Sequence, residues 1–200
     1  MNKKNNSLEE YRKKRDFRKT SEPRGENSKD NSKRLFVFHK HDAQNLHYDF
    51  RLEVEGVLKS WAIPKGPSTD PGEKRLAIPT EDHPLDYADF EGVIPEDNYG
   101  AGTVIVWDMG PYENITEKDG QKVTMEEAID AGKVSVRLSG KKLKGGFALV
   151  RTGSGDDSRW LLVKIDDEEA DARRNPVSTE PESVLTGKTI EETAEQEADK

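Results

Sequence analysis

The sequence predicts a mostly β domain, built as an antiparallel sandwich or barrel, and three observations lead to that expectation. Apolar and polar residues alternate from His47 to Val54, which is the period of a strand with one apolar face. Further strand-like runs follow at close spacing, and clusters rich in Pro, Gly, Asp and Ser separate them. Short strands joined by tight turns favour antiparallel pairing over βαβ units. The later predicted strands are 57–63, 75–79, 103–107, 133–138, 146–151 and 159–165.

The N-terminal segment, residues 1–34, is basic, with 12 Lys and Arg residues against 6 Asp and Glu residues. Ser7 and Glu10 have the spacing of a capping box, which predicts a short helix from Leu8 to about Lys19. Residues 20–32 are polar and rich in Pro, Gly and Ser, which indicates a loop or arm.

The predicted β domain occupies residues 35–166 and contains one helix, with Thr124 and Glu127 as its capping box and Gly132 as its stop. Residues 167–200 form an acidic tail. From about Asp171 this tail shows no apolar periodicity, so we expect it to be disordered.

The composition limits the setting and the partners. The chain has no cysteine, which excludes disulfides and thiolate metal sites and favours a reducing, cytoplasmic interior. No apolar run approaches the roughly 20 residues that cross a bilayer, and the first residues lack the apolar stretch of a signal peptide. No membrane partner is therefore expected. The net charge of −8 argues against nucleic acid binding by the whole surface, but not against a local basic site.

Polar residues with metal- and phosphate-binding chemistry concentrate in one stretch. All four histidines lie between positions 39 and 83: His39, His41, His47 and His83. On the predicted strand, period two places His47, Asp49 and Arg51 on one face, with about 6.5–7 Å between successive members. An imidazole and a carboxylate can hold a divalent metal, and a guanidinium can fork onto a phosphate bound beside it. His41 could complete the ligands by folding back across the turn at 42–45.

Other interpretations of these residues stay open. The triplet also fits a solvated strand face with a surface ion pair, and His39 and Tyr87 also fit simple packing. His47 and Asp49 with His83, in a turn-like stretch at 81–84, imitate the facial triad of a nonhaem Fe(II) oxygenase. A noncatalytic module that binds DNA ends is a third possibility. Residues 100–102 are better explained as a tight turn than as a phosphate loop, because no Lys-Ser/Thr pair follows.

Longer motifs around these residues resemble the 3′-phosphoesterase domain of bacterial DNA ligase D. The matching stretches are HDAQNLHYDFRLE at 41–53, LKSWAIPKGP at 58–67, KRLA at 74–77, EDHPLDY at 81–87, FEGVIP at 90–95, YGAGTV at 99–104 and WD at 107–108. The resemblance covers roughly residues 8–166. It implies a small antiparallel β barrel of about eight strands with a few short flanking helices.

The resemblance also implies an activity and a set of site residues. A phosphodiesterase step would remove a 3′-terminal ribonucleoside, and a phosphomonoesterase step would remove the 3′-phosphate to leave a 3′-OH. The implied metal is Mn²⁺, held by His41, His47 and Asp49, with Arg51 and His83 on the scissile phosphate. Further substrate-binding positions are Arg15, Lys65, Arg75 and Tyr87, and supporting positions are Asp16, Glu22, Glu81 and His39.

The implied partners are DNA primer–template 3′ ends, with or without terminal ribonucleotides, and separate ligase and polymerase repair proteins. The ligase and polymerase modules that accompany this domain in ligase D are absent from the sequence, so a stand-alone, monomeric version is expected. Two positions depart from the family pattern. His39 stands where the family commonly has Gln, and Asp97 replaces a Gly. With an ordinary pKa near 6.5, His83 is expected to be able to donate a proton to the leaving group.

Overall fold

In a computed structural model, residues 8–25, 34–153 and 159–198 are described, and they form a β barrel with short helices outside it. The strands are β1 Leu35–Asp42, β2 Leu46–Val54, β3 Val57–Ile63, β4 Lys74–Pro84, β5 Gly92–Ile94, β6 Gly102–Asn114, β7 Glu117–Lys118, β8 Gln121–Lys122, β9 Lys133–Ser139, β10 Lys144–Thr152 and β11 Arg159–Lys164. The helices are α1 Glu9–Lys13, α2 Met125–Ala131, α3 Pro176–Thr179 and α4 Ile190–Ala198, with a 3₁₀ turn at Leu85–Tyr87.

Eight strands close the barrel. Hydrogen bonding follows the order β1-β2-β3-β4-β11-β10-β9-β6, and β6 pairs back onto β1. Every pairing is antiparallel. The short strand β5 adds to β6, and β7 pairs with β8 in a separate two-stranded sheet. The prediction of a mostly β fold, a small antiparallel barrel of about eight strands, is confirmed.

The two faces of β1 and β2 have different surroundings. Phe38 and Phe50 stack with ring centroids 4.4 Å apart inside the main core, where they pack with Trp107. The alternate residues point to the outer face of the barrel because side chains alternate along a strand. A second apolar cluster, which includes Tyr11 and Tyr87, covers part of this outer face. The polar residues of β1 and β2 therefore lie outside the barrel, beneath a partial cover.

The helices agree with the sequence in one place and differ in another. Thr124 and Glu127 form the expected capping box of α2, and Gly132 ends the helix with a φ of +75°. Helix α1 is shorter than expected and ends at Lys13. Just beyond the helix, the buried Arg15 side chain forms ion pairs with Glu22 and Glu81. Ser7, the expected cap of α1, lies outside the described residues.

Strand β4 runs five residues beyond its predicted end. The turn expected at 81–84 is instead strand, with His83 opposite Leu58 and Thr80 opposite Ser60 across an irregular register. The irregularity between Leu58 and Ser60 accommodates the extra residues of β4. This correction matters for the site, because it places Glu81 and His83 on the sheet rather than in a flexible turn.

The expectation of a disordered acidic tail is corrected for residues 167–198. The Trp107 indole N–H donates to the Glu180 carbonyl at 2.7 Å, the Val184 N–H donates to Val106, and Ile190 is buried. Helix α4 packs against β5 and β6. Composition predicts disorder because the segment is acidic. A few apolar residues and backbone hydrogen bonds are nevertheless enough to hold the segment in place once the folded barrel offers a surface to pack against. No helix among the described residues is long and apolar enough to span a membrane.

Candidate metal centre

Strand register brings two histidines and a carboxylate together on the outer face of the barrel. His41, at the end of β1, pairs directly with His47, at the start of β2, and Asp49 follows two residues later on the same face. Candidate ligand atoms of the three residues all lie within 4.8 Å of one another. The two imidazole rings are 4.7 Å apart. The three residues form a candidate metal-binding cluster.

Backbone carbonyls orient both imidazoles. His41 Nε2 lies 2.9 Å from the Gly100 carbonyl oxygen, and His47 Nδ1 lies 2.9 Å from the Asn45 carbonyl oxygen. A carbonyl oxygen only accepts hydrogen bonds, so these nitrogens carry the ring protons. The lone pairs then belong to His41 Nδ1 and His47 Nε2, and each lies 3.7 Å from an Asp49 oxygen. Such outer hydrogen bonds are typical of metal-binding histidines, and the donor set fits a divalent transition metal.

The Asp49 carboxylate is held in its charged form. Burial acts to raise its pKa, but the positive charge of Arg51 holds the pKa well below its ordinary value of 3.8. The cluster therefore offers one full negative charge beside two imidazole nitrogens. This charge balance suits the binding of a divalent cation together with an anionic substrate.

Arg51 contacts four other polar side chains of the site, and its own side chain is almost fully buried. Its Nη2 donates to Asp49 at 3.1 Å, and its Nη1 donates to Ser60 at 2.8 Å. Its Nη1 also lies 2.9 Å from His83 Nδ1, and its Nε donates to His39 Nδ1 at 3.3 Å. These contacts hold the guanidinium plane next to the candidate ligands.

His83 lies between two guanidinium groups. Arg51 approaches its Nδ1, and Arg15 Nη2 lies 3.3 Å from its Nε2. Burial lowers the pKa of His83 well below its ordinary 6.5, and the charges of Arg51 and Arg15 lower it further. His83 is therefore neutral at pH 7. This corrects the expectation that an ordinary pKa near 6.5 equips His83 to act as a proton donor.

The neutral state of His83 predicts a pH dependence of stability in metal-free buffer. Below pH 6.5 the unfolded chain takes up a proton that folded His83 resists, so the free energy of unfolding should fall as the pH falls below about 6.5. Urea unfolding at pH 7 and pH 5 measures the effect. The free energy of unfolding of His83→Asn should decline less steeply over the same pH range. Part of the decline should remain in this variant, because His39 is also buried with a lowered pKa. Identical slopes for both proteins would contradict the assignment.

These groups line one cavity of about 600 Å³. Its floor is the outer face of β1 to β4, and one wall is Tyr87, whose ring centroid lies 5.1 Å from the Arg51 guanidinium carbon. The N-terminal segment supplies Arg15, which is fixed by Glu22 at 2.8 Å and by Glu81 at 3.1 Å. Residues of the 94–101 stretch also line the cavity.

Comparison with known proteins gives the family. Residues 39–151 match the family model described as the DNA ligase D 3′-phosphoesterase domain. The chain belongs to this family. Over 188 residues it is 49% identical to the multifunctional non-homologous end joining protein LigD of Pseudomonas aeruginosa, covering 92% of this chain and 22% of that protein. Over 165 residues it is 44% identical to the multifunctional non-homologous end joining DNA repair protein LigD of Mycobacterium tuberculosis, covering 79% and 20%. The chain spans about a fifth of the length of these relatives.

Within this ligase D phosphoesterase-family chain, most of the sequence-predicted residues lie together. Eight of them line the cavity: His41, His47, Asp49, Arg51, His83, Arg15, Glu81 and Tyr87. Glu22 and His39 lie behind it, where Glu22 holds Arg15 and His39 accepts from Arg51. His39 thus supports the guanidinium from behind the cavity.

Three other predicted residues of the phosphoesterase-family chain do not line the cavity, and within the described ranges their side chains form no hydrogen bond or ion pair with the predicted residues that do. Lys65 is exposed beyond the end of β3. Arg75 is paired with Leu162 in the sheet and forms an ion pair with Glu73. Asp16 is bound by the exposed side chain of Arg18. Of the three basic residues outside β2 that were expected to bind substrate, only Arg15 lines the cavity.

Several groups of the phosphoesterase-family site were not predicted from the sequence. Ser60 contacts Arg51, and its position follows from the pairing of β2 with β3. Asn98 and Tyr99 line the cavity from a turn. The carbonyls of Asn45 and Gly100 hold the histidine rings, and no side-chain pattern signals a backbone oxygen. Only Ser60 carried a usable signal, because period two places it on the same face of β3 as Leu58 and Ala62.

Proposed function

We propose that this protein is a metal-dependent DNA 3′-end-processing phosphoesterase. It removes a 3′-terminal ribonucleoside by phosphodiesterase action and a 3′-phosphate by phosphomonoesterase action, leaving a 3′-OH for repair synthesis or ligation. The observation that carries the proposal is the set of lone pairs on His41, His47 and Asp49 directly beside the buried Arg51 guanidinium. Membership of the phosphoesterase family supports the same reaction class.

In this proposal, His41 Nδ1, His47 Nε2 and the Asp49 carboxylate hold the metal, which we propose to be Mn²⁺. When bound, a divalent cation supplies positive charge against a nonbridging phosphate oxygen. The protein adds charge of its own beside that position. Since phosphoryl transfer depends chiefly on alignment and charge neutralisation, placing a cation site and a guanidinium side by side is the essential contribution of the fold.

Arg51, Arg15 and His83 would bind the phosphate. Arg51 Nη2 donates one of its two hydrogens to Asp49, so the other is left for a phosphate oxygen. His83 lies between the two guanidinium groups: its Nδ1 is 2.9 Å from both Arg51 Nη1 and the Glu81 carbonyl oxygen, and its Nε2 is 3.3 Å from Arg15 Nη2. It thereby holds both cations beside the position proposed for the phosphate.

Water attacks directly in this proposal. The chain has no cysteine, and the nearest hydroxyl to Arg51, that of Ser60, already donates to the Leu58 carbonyl while accepting from Arg51. Ser60 is therefore a positioning residue and not a nucleophile. Neutral His83 holds Arg51 and Arg15 beside the phosphate without transferring a proton.

DNA primer–template 3′ ends, separate ligase and polymerase proteins, a monomeric state and a cytoplasmic setting are part of the proposal. The oxygenase alternative requires His83 as the third ligand. In the structure His83 contacts Arg51 and Arg15 instead, and His41 takes the place beside His47 and Asp49. No observation favours an end-binding module without catalysis.

The test uses purified protein, Mn²⁺ and a 5′-labelled primer–template that ends in one ribonucleotide. We expect a gel to show first a shortened primer with a 3′-phosphate and then the same primer with a 3′-OH. Chelation should stop both steps, and added Mn²⁺ should restore them. Intact primer after incubation with stoichiometric enzyme, or phosphate release that persists in chelator, would refute the proposal. Fe(II) with 2-oxoglutarate should yield no succinate.

A further inference from the structure

Tyr99 is an unusual residue at the mouth of the cavity. Its relative exposure is 51%, and it is the one aromatic among the large hydrophobic residues that are exposed in the described ranges. It also lines the same cavity as His47, Asp49 and Arg51. An aromatic ring left half in water has no role in the core, and its position at the site suggests contact with a ligand.

The backbone fixes Tyr99 relative to the candidate metal cluster. The turn that carries it is closed by hydrogen bonds from the Asn98 N–H to Pro95 at 2.9 Å and from the Ala101 N–H to Asn98 at 3.2 Å. Asn98 is 8% exposed, which anchors the turn on one side of Tyr99. On the other side, the Gly100 carbonyl accepts from His41 Nε2. Tyr99 is therefore attached, within one residue, to a group that orients a candidate metal ligand.

The glycines next to Tyr99 make this close approach possible. Gly100 has a φ of +76°, which a residue with a side chain rarely adopts. A side chain at Gly102 would collide with the Asp42 carbonyl, so the turn lies directly against the end of β1. The ring is therefore presented by a rigid turn and not by a mobile loop tip.

Cations of the N-terminal segment lie against the ring. Lys14 Nζ is 4.7 Å from the ring centroid, and the Arg15 guanidinium carbon is 5.8 Å from it. Lys14 is itself fixed by Glu10 at 2.7 Å and Glu81 at 3.2 Å. An exposed aromatic ring beside cations is the combination that binds a stacked nucleobase and its phosphates.

We propose that Tyr99 is the stacking platform for the nucleobase of the 3′-terminal nucleotide. This inference rests on the proposed function, because it places the terminal phosphate at Arg51 and the cluster. In a nucleotide, one sugar separates the base from its 3′-phosphate. In the protein, one residue, Gly100, links Tyr99 to the candidate metal ligand His41. Stacking recognises any base, so Tyr99 gives affinity for an end without reading its sequence.

The experiment measures binding without turnover. Fluorescence anisotropy in EDTA follows a labelled primer–template with a 3′-phosphate, and a matched primer whose terminal nucleotide is abasic. Tyr99→Ala should weaken binding of the normal end about 10-fold, within the range for loss of one base–aromatic stack, whereas Tyr99→Phe should bind like the wild type. The abasic end should bind the wild type about as weakly as the normal end binds Tyr99→Ala. The affinity of Tyr99→Ala for the abasic end should be only slightly lower still, because both changes remove the same stacking contact.

Val150→Ala removes another exposed apolar side chain, on β10, and should leave binding unchanged. Equal weakening of normal and abasic ends by Tyr99→Ala would overturn the stacking role, as would unchanged affinity or an absence of DNA binding by the wild type. In Mn²⁺, Tyr99→Ala should raise KM with little change in kcat. If the wild type binds with the expected base dependence but releases no phosphate, the proposed function fails and the stacking role stands.

Discussion

Replacement of His47 with alanine should abolish both the phosphodiesterase and the phosphomonoesterase step. The change removes one of three lone-pair donors, and the loss of Mn²⁺ affinity should exceed the roughly 10- to 100-fold that removal of an outer hydrogen-bond partner costs. Titration with Mn²⁺, followed by calorimetry, measures affinity, and release of phosphate from a 3′-phosphate primer measures activity. Full activity of His47→Ala under controlled metal concentrations would contradict the role of the cluster.

His39→Gln is the matched control for His47→Ala. His39 lies opposite Asp49 on the neighbouring strand, but its contact is the hydrogen bond that it accepts from Arg51 Nε. A glutamine oxygen can accept the same hydrogen bond, so metal affinity and both activities should stay close to those of the wild type. Loss of activity equal to that of His47→Ala would place His39 among the metal ligands.

Replacement of Arg51 with methionine should lower kcat/KM by on the order of 100- to 1,000-fold, the size of effect that follows loss of one preorganised charge-stabilising donor. Arg51→Lys should recover little, because an ammonium group cannot reproduce the fork that joins Asp49, Ser60 and His83. The assay is phosphate release in saturating Mn²⁺. Wild-type activity in Arg51→Lys would show that charge alone suffices.

Arg51→Met should also be less stable than the wild type in metal-free buffer. Loss of one partner of a buried ion pair costs about 3–5 kcal/mol, since Asp49 is left charged and unpaired. Added Mn²⁺ should raise the Tm of Arg51→Met more than that of the wild type, because the cation replaces the lost positive charge. Arg137→Lys, at an exposed pair with Glu113, should leave the Tm unchanged within about a degree, as surface pairs contribute little.

Much of the site arrangement follows from local pattern. Alternation along β2 places His47, Asp49 and Arg51 on one face, and the short turn after β1 returns the chain so that His41 meets His47. Both features depend on neighbours in sequence, so they are readable without a structure. The motifs that resemble the ligase D phosphoesterase domain lie in this same stretch, and the family match begins at residue 39.

Other parts of the site depend on contacts between distant residues. Arg15 and Glu81 are 66 positions apart, and only barrel closure with the N-terminal segment across its outer face brings them together. Lys65 and Arg75 appeared equally suited to phosphate, yet they lie away from the cavity, because charge type carries no information on direction. The tail, judged disordered by composition, packs because Trp107 and Val106 offer it backbone partners.

By itself, the sequence determined the mostly β class, most of the barrel strands, the family and the three candidate ligands, since these depend on side-chain periodicity and on motifs that are contiguous in the chain. Tertiary structure alone decided the protonation of the site. Two backbone carbonyls orient the imidazoles, and burial together with two guanidinium groups keeps the pKa of His83 low. A pKa depends on burial and on charges within a few ångströms, and those neighbours come from strands and loops that only folding brings together.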